Sequence, residues 1–303
     1  MSAAAPFRVA IVTGAGDLAA AHAVRTAVFV DEQGVPADLE RDALDALSRH
    51  VLATAADGTP IGAGRIAPDG RIGRLAVRSD WRGRGVGDAM LRALLEAARE
   101  AGLRETYLHA QLQAMALYAR AGFVAEGARY EEAGIAHRTM RRVAGAAFPV
   151  DDPAAAVDAT VTLVSAARRS LWLRSRDLDP GLYDHPDVLA ALRRFATGGR
   201  GVQIQVLLHD PATVQRRGSA LLALSQRLSS AFAFRAVEDA VDREYAGACL
   251  VNDAGGFHVR ALGHRVDGEA ATDLPGRARQ LAQQFAPVWE RSRACSEFRA
   301  LGI

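Results

Sequence analysis

Arg82-Gly-Arg-Gly-Val-Gly87 is the stretch best suited to chemistry, because arginines and glycines alternate where an apolar strand passes into an amphipathic helix. Upstream, Leu75, Val77 and Trp81 alternate with Arg74, Arg78 and Asp80, the period of a strand. Downstream, Val86, Met90, Leu94 and Ala97 or Ala98 recur at helical spacing. Arg92, Glu96, Arg99 and Glu100 lie opposite, and Gly102 is placed to end the helix. The first turn of such a helix leaves N–H groups unpaired and carries the positive end of the helix dipole, so it favours an anion. Gly83, Gly85 and Gly87 let the backbone approach closely, and Arg82 and Arg84 add forked donors; the chemistry indicated is retention of a diphosphate.

The spacing Arg82-x-x-Gly85-x-Gly87 between strand and helix resembles the acyl-CoA pyrophosphate loop of the GNAT superfamily of N-acetyltransferases. Arg25-Thr-Ala-Val-Phe-Val-Asp-Glu-Gln-Gly-Val-Pro36, followed by acids and His50, resembles a segment shared by a subgroup of small bacterial GNAT proteins. Leu117-Tyr118-Ala-Arg-Ala-Gly122-Phe123 is similar to the F-Y-x-x-x-G-F signature near the end of GNAT domains. Tyr130-Glu-Glu-Ala-Gly-Ile-Ala-His137 resembles the subgroup's Y-x-E-x-G-I-x-H ending. The resemblance covers residues 6–143.

The resemblance implies an α/β protein of the α+β GNAT type, with a mixed, mostly antiparallel sheet. It implies acetyl-CoA as co-substrate, no metal, and direct attack by an amine of a small molecule or peptide. The backbone of the fourth strand, through Leu75, Ala76 and Val77, would align the pantetheine, and Arg82, Gly83, Arg84, Gly85, Val86 and Gly87 would hold the pyrophosphate. Tyr118 would be the general acid toward the departing thiolate. Glu32, Gln33, His50, Gln111 and His137 would line the acceptor side, where the acidic surplus of residues 25–50 suits a cationic amine; the bland alternative for each acid is a solvated face. His109 stands where the family often has asparagine.

The elements that must position these residues follow from pattern. Phe7–Thr13 reads as a strand, and Leu18, Ala21, Val24 and Val28 as one helix with Asp17 at its N-cap. Gly14-Ala-Gly-Asp-Leu-Ala19 also matches the opening of a dinucleotide-binding unit, with Asp31 near the expected distance, but that reading needs a strand at 27–30. Arg49–Ala55, Pro60–Ile66 and Arg71–Val77 form a meander turned by Asp57-Gly58 and Asp69-Gly70. After the central helix come a strand over Glu105–Gln111, a helix over Ala114–Ala121, a strand opening at Gly122 and another over Ala136–Val143, completing a domain over 1–145.

Composition sets limits. At 303 residues the chain has room for about two domains. All 37 basic residues are arginine, which removes lysine-dependent P-loop and Schiff-base chemistry. The net charge of +2 divides evenly, 18 arginines against 17 acids in residues 1–149 and 19 against 18 beyond, which argues against a general nucleic-acid binder. Cys249 and Cys295 offer neither a disulfide framework nor a metal site. No apolar run approaches the ~20 residues of a membrane span and no signal-peptide pattern opens the chain, so the expected compartment is the cytoplasm.

Residues 146–303 read as a second α/β domain, entered through a linker over Ala144–Asp152. Helix is expected over Pro153–Ala167, Pro186–Ala196, Ala212–Ser230 and Gly276–Arg293. Strands are expected at Ser170–Ser175, Val202–His209, Phe232–Val237, Tyr245–Asn252 and Phe257–Leu262. This order resembles one half of a phospholipase D-like fold. Ala246 and Ala248 then stand where that family has its catalytic histidine and lysine, and only Asp253 keeps the motif, so no phosphodiester cleavage is expected. Such a domain would bind, form a homodimer or shape the neighbouring site. Arg168, Arg169, Arg174 and Arg176 are either anion ligands or solvated charges. The alternative for the whole chain is a catalytically degenerate acyl-CoA sensor acting through its C-terminal half.

Overall fold

The period-2 pattern of residues 49–77 is realised as an antiparallel meander. In the computed structural model, which describes residues 7–12 and 15–298, β1 (Phe7–Val12), β2 (Arg49–Ala55), β3 (Pro60–Ile66) and β4 (Ile72–Val77) pair in that order. The chain divides into two units. The first runs to Ala121 and includes Gly127–Arg142; the second takes Gly122–Glu126 and everything from Val143.

Within the first unit, α1 (Ala15–Arg25) continues directly into a π-helical segment, Thr26–Glu32. The helical spacing through Val28 is therefore one continuous rod, and the strand that a dinucleotide-binding unit needs at 27–30 does not form. Gly14 lies outside the described residues. Asp17 sits in the first turn of α1 and not at its N-cap, because the helix has already begun at Ala15. A short α2 (Ala37–Glu40) and a 3-10 turn, Ala43–Leu47, lead into β2.

The long α3 (Val86–Glu100) lies on the sheet, with Met90 and Leu94 fully buried. Small residues permit the approach. A Cβ at Gly62 would come within 2.8 Å of the Met90 Sδ, and one at Gly64 within 3.4 Å of the Leu94 Cδ1. Beyond it, β5 (Glu105–Gln111), α4 (Met115–Arg120), β6 (Val124–Glu132) and β7 (Ile135–Val143) supply a second sheet in the order β5-β7-β6.

The second unit holds an eight-stranded sheet built from β8 (Phe148–Val150), α5 (Pro153–Ala166), β9 (Ser170–Ser175), α6 (Pro186–Thr197), β10 (Gln203–Leu208), α7 (Pro211–Arg217), α8 (Ala220–Arg227), β11 (Phe232–Ala236), α9 (Ala240–Arg243), β12 (Ala248–Asn252), β13 (Phe257–Arg260), β14 (Gly268–Ala271), α10 (Pro275–Arg291) and β15 (Arg293–Ala294). The strand order is β15-β11-β10-β9-β12-β13-β14-β8. In it β9, β10 and β11 run parallel, while β12 is antiparallel to β9.

Two expectations change here. The helix over 212–230 breaks at Gly218, where φ is +71°, and restarts at the Ser219 cap, whose side chain accepts from the Leu222 N–H. The linker over 144–152 contains β8, paired with β14. Neither short strand carries enough alternation to be visible in sequence.

His258 on β13 is 3 % exposed, its Nε2 meets no hydrogen-bond partner, and burial followed by the nearby Arg260 charge pushes its pKa down to about 4. The unfolded imidazole titrates near 6.5, so between about pH 6.5 and 4 the unfolded chain binds the extra proton and stability falls as pH falls. The expected loss from this residue approaches about 3 kcal/mol at the acid end of that window. Urea midpoints measured across it should drop for the wild-type chain and drop less for His258→Leu; identical slopes would remove His258 as the cause.

Candidate active site

The site begins with an irregularity in β4. Pairing runs Gly62↔Val77, Ala63↔Ala76, then Arg65↔Gly73, so Arg74 and Leu75 together oppose Gly64. That is a bulge, and Arg74 lies in the left-handed region at φ +53°. Its side chain holds the distortion, with Nη2 donating to the Leu39 carbonyl at 2.8 Å and the Asp42 carboxylate at 3.2 Å. On the other side of β4, the parallel bridge Arg71↔Tyr107 is the β link to β5 among the described residues. From Gly73 to Val77 the outer edge of β4 therefore has no strand partner among the described residues, which leaves backbone groups of Leu75, Ala76 and Val77 open to a ligand lying along it, the Val77 carbonyl excepted because a side chain of the following turn donates to it.

That edge leads into the glycine-rich turn. A 3-10 turn, Ser79–Trp81, replaces the strand expected through Trp81, and Gly83 and Gly85 adopt φ +73° and +80°. Gly85 is the N-cap of α3 and offers no side chain to the first turn, so the N–H groups that open the helix at Val86 and Gly87 have no side-chain cap. Added Cβ atoms at Gly83 and Gly85 would meet nothing within 4 Å, so both positions face open space. Arg84 stacks over the Trp81 ring at 4.9 Å. Arg82 donates through Nε to the Val77 carbonyl at 3.0 Å and through its fork to both Glu32 oxygens at 2.7 Å, which holds the Glu32 carboxyl below its usual range. Asp88, the acid of the first turn, is matched by Arg120 at 3.0 Å.

Of the other proposed ligands, Gln33 and Gln111 meet, with Gln111 Nε2 donating to Gln33 Oε1 at 3.1 Å. Glu32 and Gln33 thus join the π-helical segment to the glycine-rich turn and to the end of β5. Tyr118 on α4 is buried, and burial pushes its phenol up to about 12, so it keeps its proton across the physiological range. His137 stacks on Tyr130 at 6.0 Å, its Nδ1 lies 2.8 Å from the Ile135 carbonyl, and the Tyr130 ring also meets His109 edge-on. His50 is 4 % exposed, with Nε2 2.8 Å from the Asp45 carbonyl. It is an interior residue.

A sequence profile described as an acetyltransferase (GNAT) domain matches residues 16–144. An uncharacterized N-acetyltransferase of Bacillus subtilis, YjcF, is 38 % identical over 124 residues, spanning 39 % of this chain and 87 % of the relative. The chain belongs to the GNAT acetyltransferase family. Among similar solved structures, an acyl-CoA N-acyltransferase of Pseudomonas aeruginosa is 34 % identical over 45 % of this chain and 98 % of that one, with a TM-score of 0.41. Escherichia coli ElaA is 29 % identical over 45 % and 97 %, with a TM-score of 0.40. Residues 152–301 match a domain of unknown function, DUF7931.

Within the GNAT unit, the acids at 40–45 have partners that the sequence concealed. Arg25, fully buried, bonds the Glu40 carboxylate, the Glu40 carbonyl at 2.8 Å and Asp45 at 2.7 Å. Arg65 bonds Asp45 and forks onto Asp42 at 2.6 Å, and Arg74 reaches the same Asp42. Glu40, Asp42 and Asp45 are thus matched inside the fold by Arg25, Arg65 and Arg74. An acidic surplus waiting for a cationic amine is not what this segment presents. Arg65 and Arg74 lie 20 to 32 residues from their partners, a separation at which helical and strand periodicity carry no signal. In the second unit the Asp253 carboxylate accepts from the backbone N–H groups of Arg168 and Arg169, both at 2.8 Å, and so closes the turn before β9.

Proposed function

We propose that the N-terminal unit transfers the acetyl group of acetyl-CoA to an amine of a small molecule or peptide. The observation that carries this reading is the unpaired outer edge of β4, opened by the Arg74 bulge, running into the uncapped first turn of α3. The donor supplies an activated thioester when bound. Leu75, Ala76 and Val77 offer backbone groups along the edge, while the N–H groups from Arg82 to Gly87 with the Arg84 guanidinium receive the diphosphate. Arg82 reaches the diphosphate by sharing or leaving Glu32. Glu32, bonded to Arg82 of the same turn, and the adjacent pair Gln33 and Gln111 bound the acceptor side.

Rate comes mainly from placing amine and thioester together. Tyr118, protonated at every working pH, donates a hydrogen bond toward the negative charge that develops on sulfur. The test is calorimetric titration of acetyl-CoA, followed by release of free thiol with a panel of primary amines. Tyr118→Phe should lower kcat about 100-fold while leaving acetyl-CoA affinity within about twofold; unchanged kcat removes Tyr118 from that role, and absent binding to folded protein removes the acetyltransferase reading. For the second unit, the phospholipase D-like likeness rests on strand order and Asp253 alone, and Ala246 and Ala248 leave it without a nucleophile for phosphodiester cleavage.

A further inference from the structure

At the carboxyl ends of β9 and β10 the second unit opens a cavity of about 590 Å³, lined by Arg176, His209, Arg243, Glu244, Tyr245 and His264 among others. The chain passes from β9 outward through β10 to β11 and then returns to β12 on the opposite flank of β9. The first residues beyond β9 and β10, Arg176 and His209, therefore meet the loop that carries Arg243 and Tyr245. A crevice outside the carboxyl ends of parallel strands, at the point where the connection changes direction, is where sheets of this kind take ligands.

The charge behind the cavity is unusual. Arg174, on the central strand β9, is 8 % exposed, and among the described residues no carboxylate lies within ion-pair distance of it. Its Nε donates to His209 Nε2 at 3.0 Å, its Nη2 donates to the Asp242 carbonyl at 2.6 Å, and its guanidinium lies 4.2 Å from the centre of the Tyr245 ring. The Asp242 carboxylate is held by Arg291 instead. A buried guanidinium without a counter-charge is costly unless an anion completes it.

His209 cannot be that anion. It accepts from Arg174 and so carries its proton on Nδ1, and burial, then the charges of Arg174, Arg243 and Arg176, push its pKa down to about 4. Those same charges place three guanidinium groups around one neutral imidazole. The guanidinium groups of Arg176 and Arg243 have no hydrogen-bond or ion-pair partner among the described residues and both side chains are exposed. The opposing acids are Asp210, occupied in capping Thr213 at 3.0 and 2.8 Å, and Glu244.

We infer that this cavity binds a phosphate monoester, the phosphoryl group seated between Arg176 and Arg243 with the His209 Nδ1–H as a further donor and the Arg174 charge behind it, and the organic body beside Tyr245. A dianion matches three guanidinium groups better than a monoanion, and the cavity has the volume of a small-molecule site, larger than inorganic phosphate needs. The Tyr245 ring, 45 % exposed, supplies a face for a planar body. This site is independent of the acetyl-CoA reading, and its lining lies wholly within residues 176–264.

The test uses the full chain with adenosine 5′-monophosphate, inorganic phosphate and adenosine as probes in calorimetry at physiological salt. The monophosphate should bind saturably and more tightly than inorganic phosphate, and adenosine should not bind. Arg176→Gln or Arg243→Gln should weaken the monophosphate about tenfold each, and the double variant should lose it with an unchanged thermal midpoint. Gly85→Glu should leave it intact, which separates this cavity from the first turn of α3. Equal binding by the wild type and the double variant, loss in Gly85→Glu, or equal binding of adenosine would each overturn the inference, as would absence of binding by both phosphates.

Discussion

Arg25→Ala should destabilise the N-terminal unit by about 3–5 kcal/mol, a large part of the stability an ordinary domain possesses. The guanidinium is fully buried and bonds two carboxylates, of which Glu40 is 2 % exposed. Truncation leaves Glu40 with Arg41 at 3.9 Å as its remaining cation, and Asp45 with Arg65 and His22. Removing one partner from a buried pair costs far more than the pair contributes, because the stranded charge keeps its desolvation penalty. Arg25→Lys should restore little, since one ammonium cannot reproduce a fork that serves Glu40 and Asp45 together.

A pH signature accompanies this loss. Burial alone would raise the Asp45 carboxyl, but the hydrogen bonds and charges of Arg25 and Arg65 hold it far below the usual carboxylate range. A depressed carboxyl contributes stability above its unfolded pKa and loses it as pH falls toward the folded value. Weakening the network in Arg25→Ala should therefore move the acid limb of unfolding to higher pH. Urea denaturation of the wild type and the variant, repeated at neutral and acidic pH, checks both parts. A loss below about 1 kcal/mol would mean that the acids find other partners.

Gly85→Glu should weaken acetyl-CoA about 100-fold or more in calorimetric titration. A carboxylate at the N-cap of α3, a few ångströms from a bound diphosphate, costs about 3 kcal/mol at the effective dielectric of a protein surface. Space around the position is open, so the substitution meets no neighbour, but the φ of +80° imposes about 1–2 kcal/mol of backbone strain on any side chain. Gly85→Ala carries the strain without the charge and should bind within about tenfold of wild type. Equal weakening by Ala and Glu would assign the effect to backbone conformation; undiminished binding by Glu would place the diphosphate elsewhere.

Much of the N-terminal fold was legible because its elements are amphipathic with clean periods. The strands Arg49–Ala55, Pro60–Ile66 and Glu105–Gln111 are found with the same ends that alternation gives, and the helix after Gly85 begins one residue later. The sequence alone therefore determined the meander, the α3 helix, the glycine-bearing turn between them and the likeness to the GNAT family, since each is encoded within a few consecutive residues. Tyr118 and the turn glycines were legible in the same way, as short motifs. The Arg74 bulge was not, because a two-against-one register belongs to a pair of strands and Arg74 reads as an ordinary alternating residue.

Charge was the least legible property. Counted along the chain, residues 31–45 look like an acidic surface; folded, Glu40, Asp42 and Asp45 face Arg25, Arg65 and Arg74. His50 reads as a site residue by neighbourhood and becomes interior by packing. Arg168, Arg169, Arg174 and Arg176 read as one cluster, yet the first two open β9 at the Asp253 turn while the last two stand at its far end, beside Arg243 and His209. Periodicity reports which face of a segment is buried, and a motif reports local geometry. Coulomb interactions depend on distance in space, so only the tertiary structure decided which charges cancel, and which, as at Arg174, remain for a ligand.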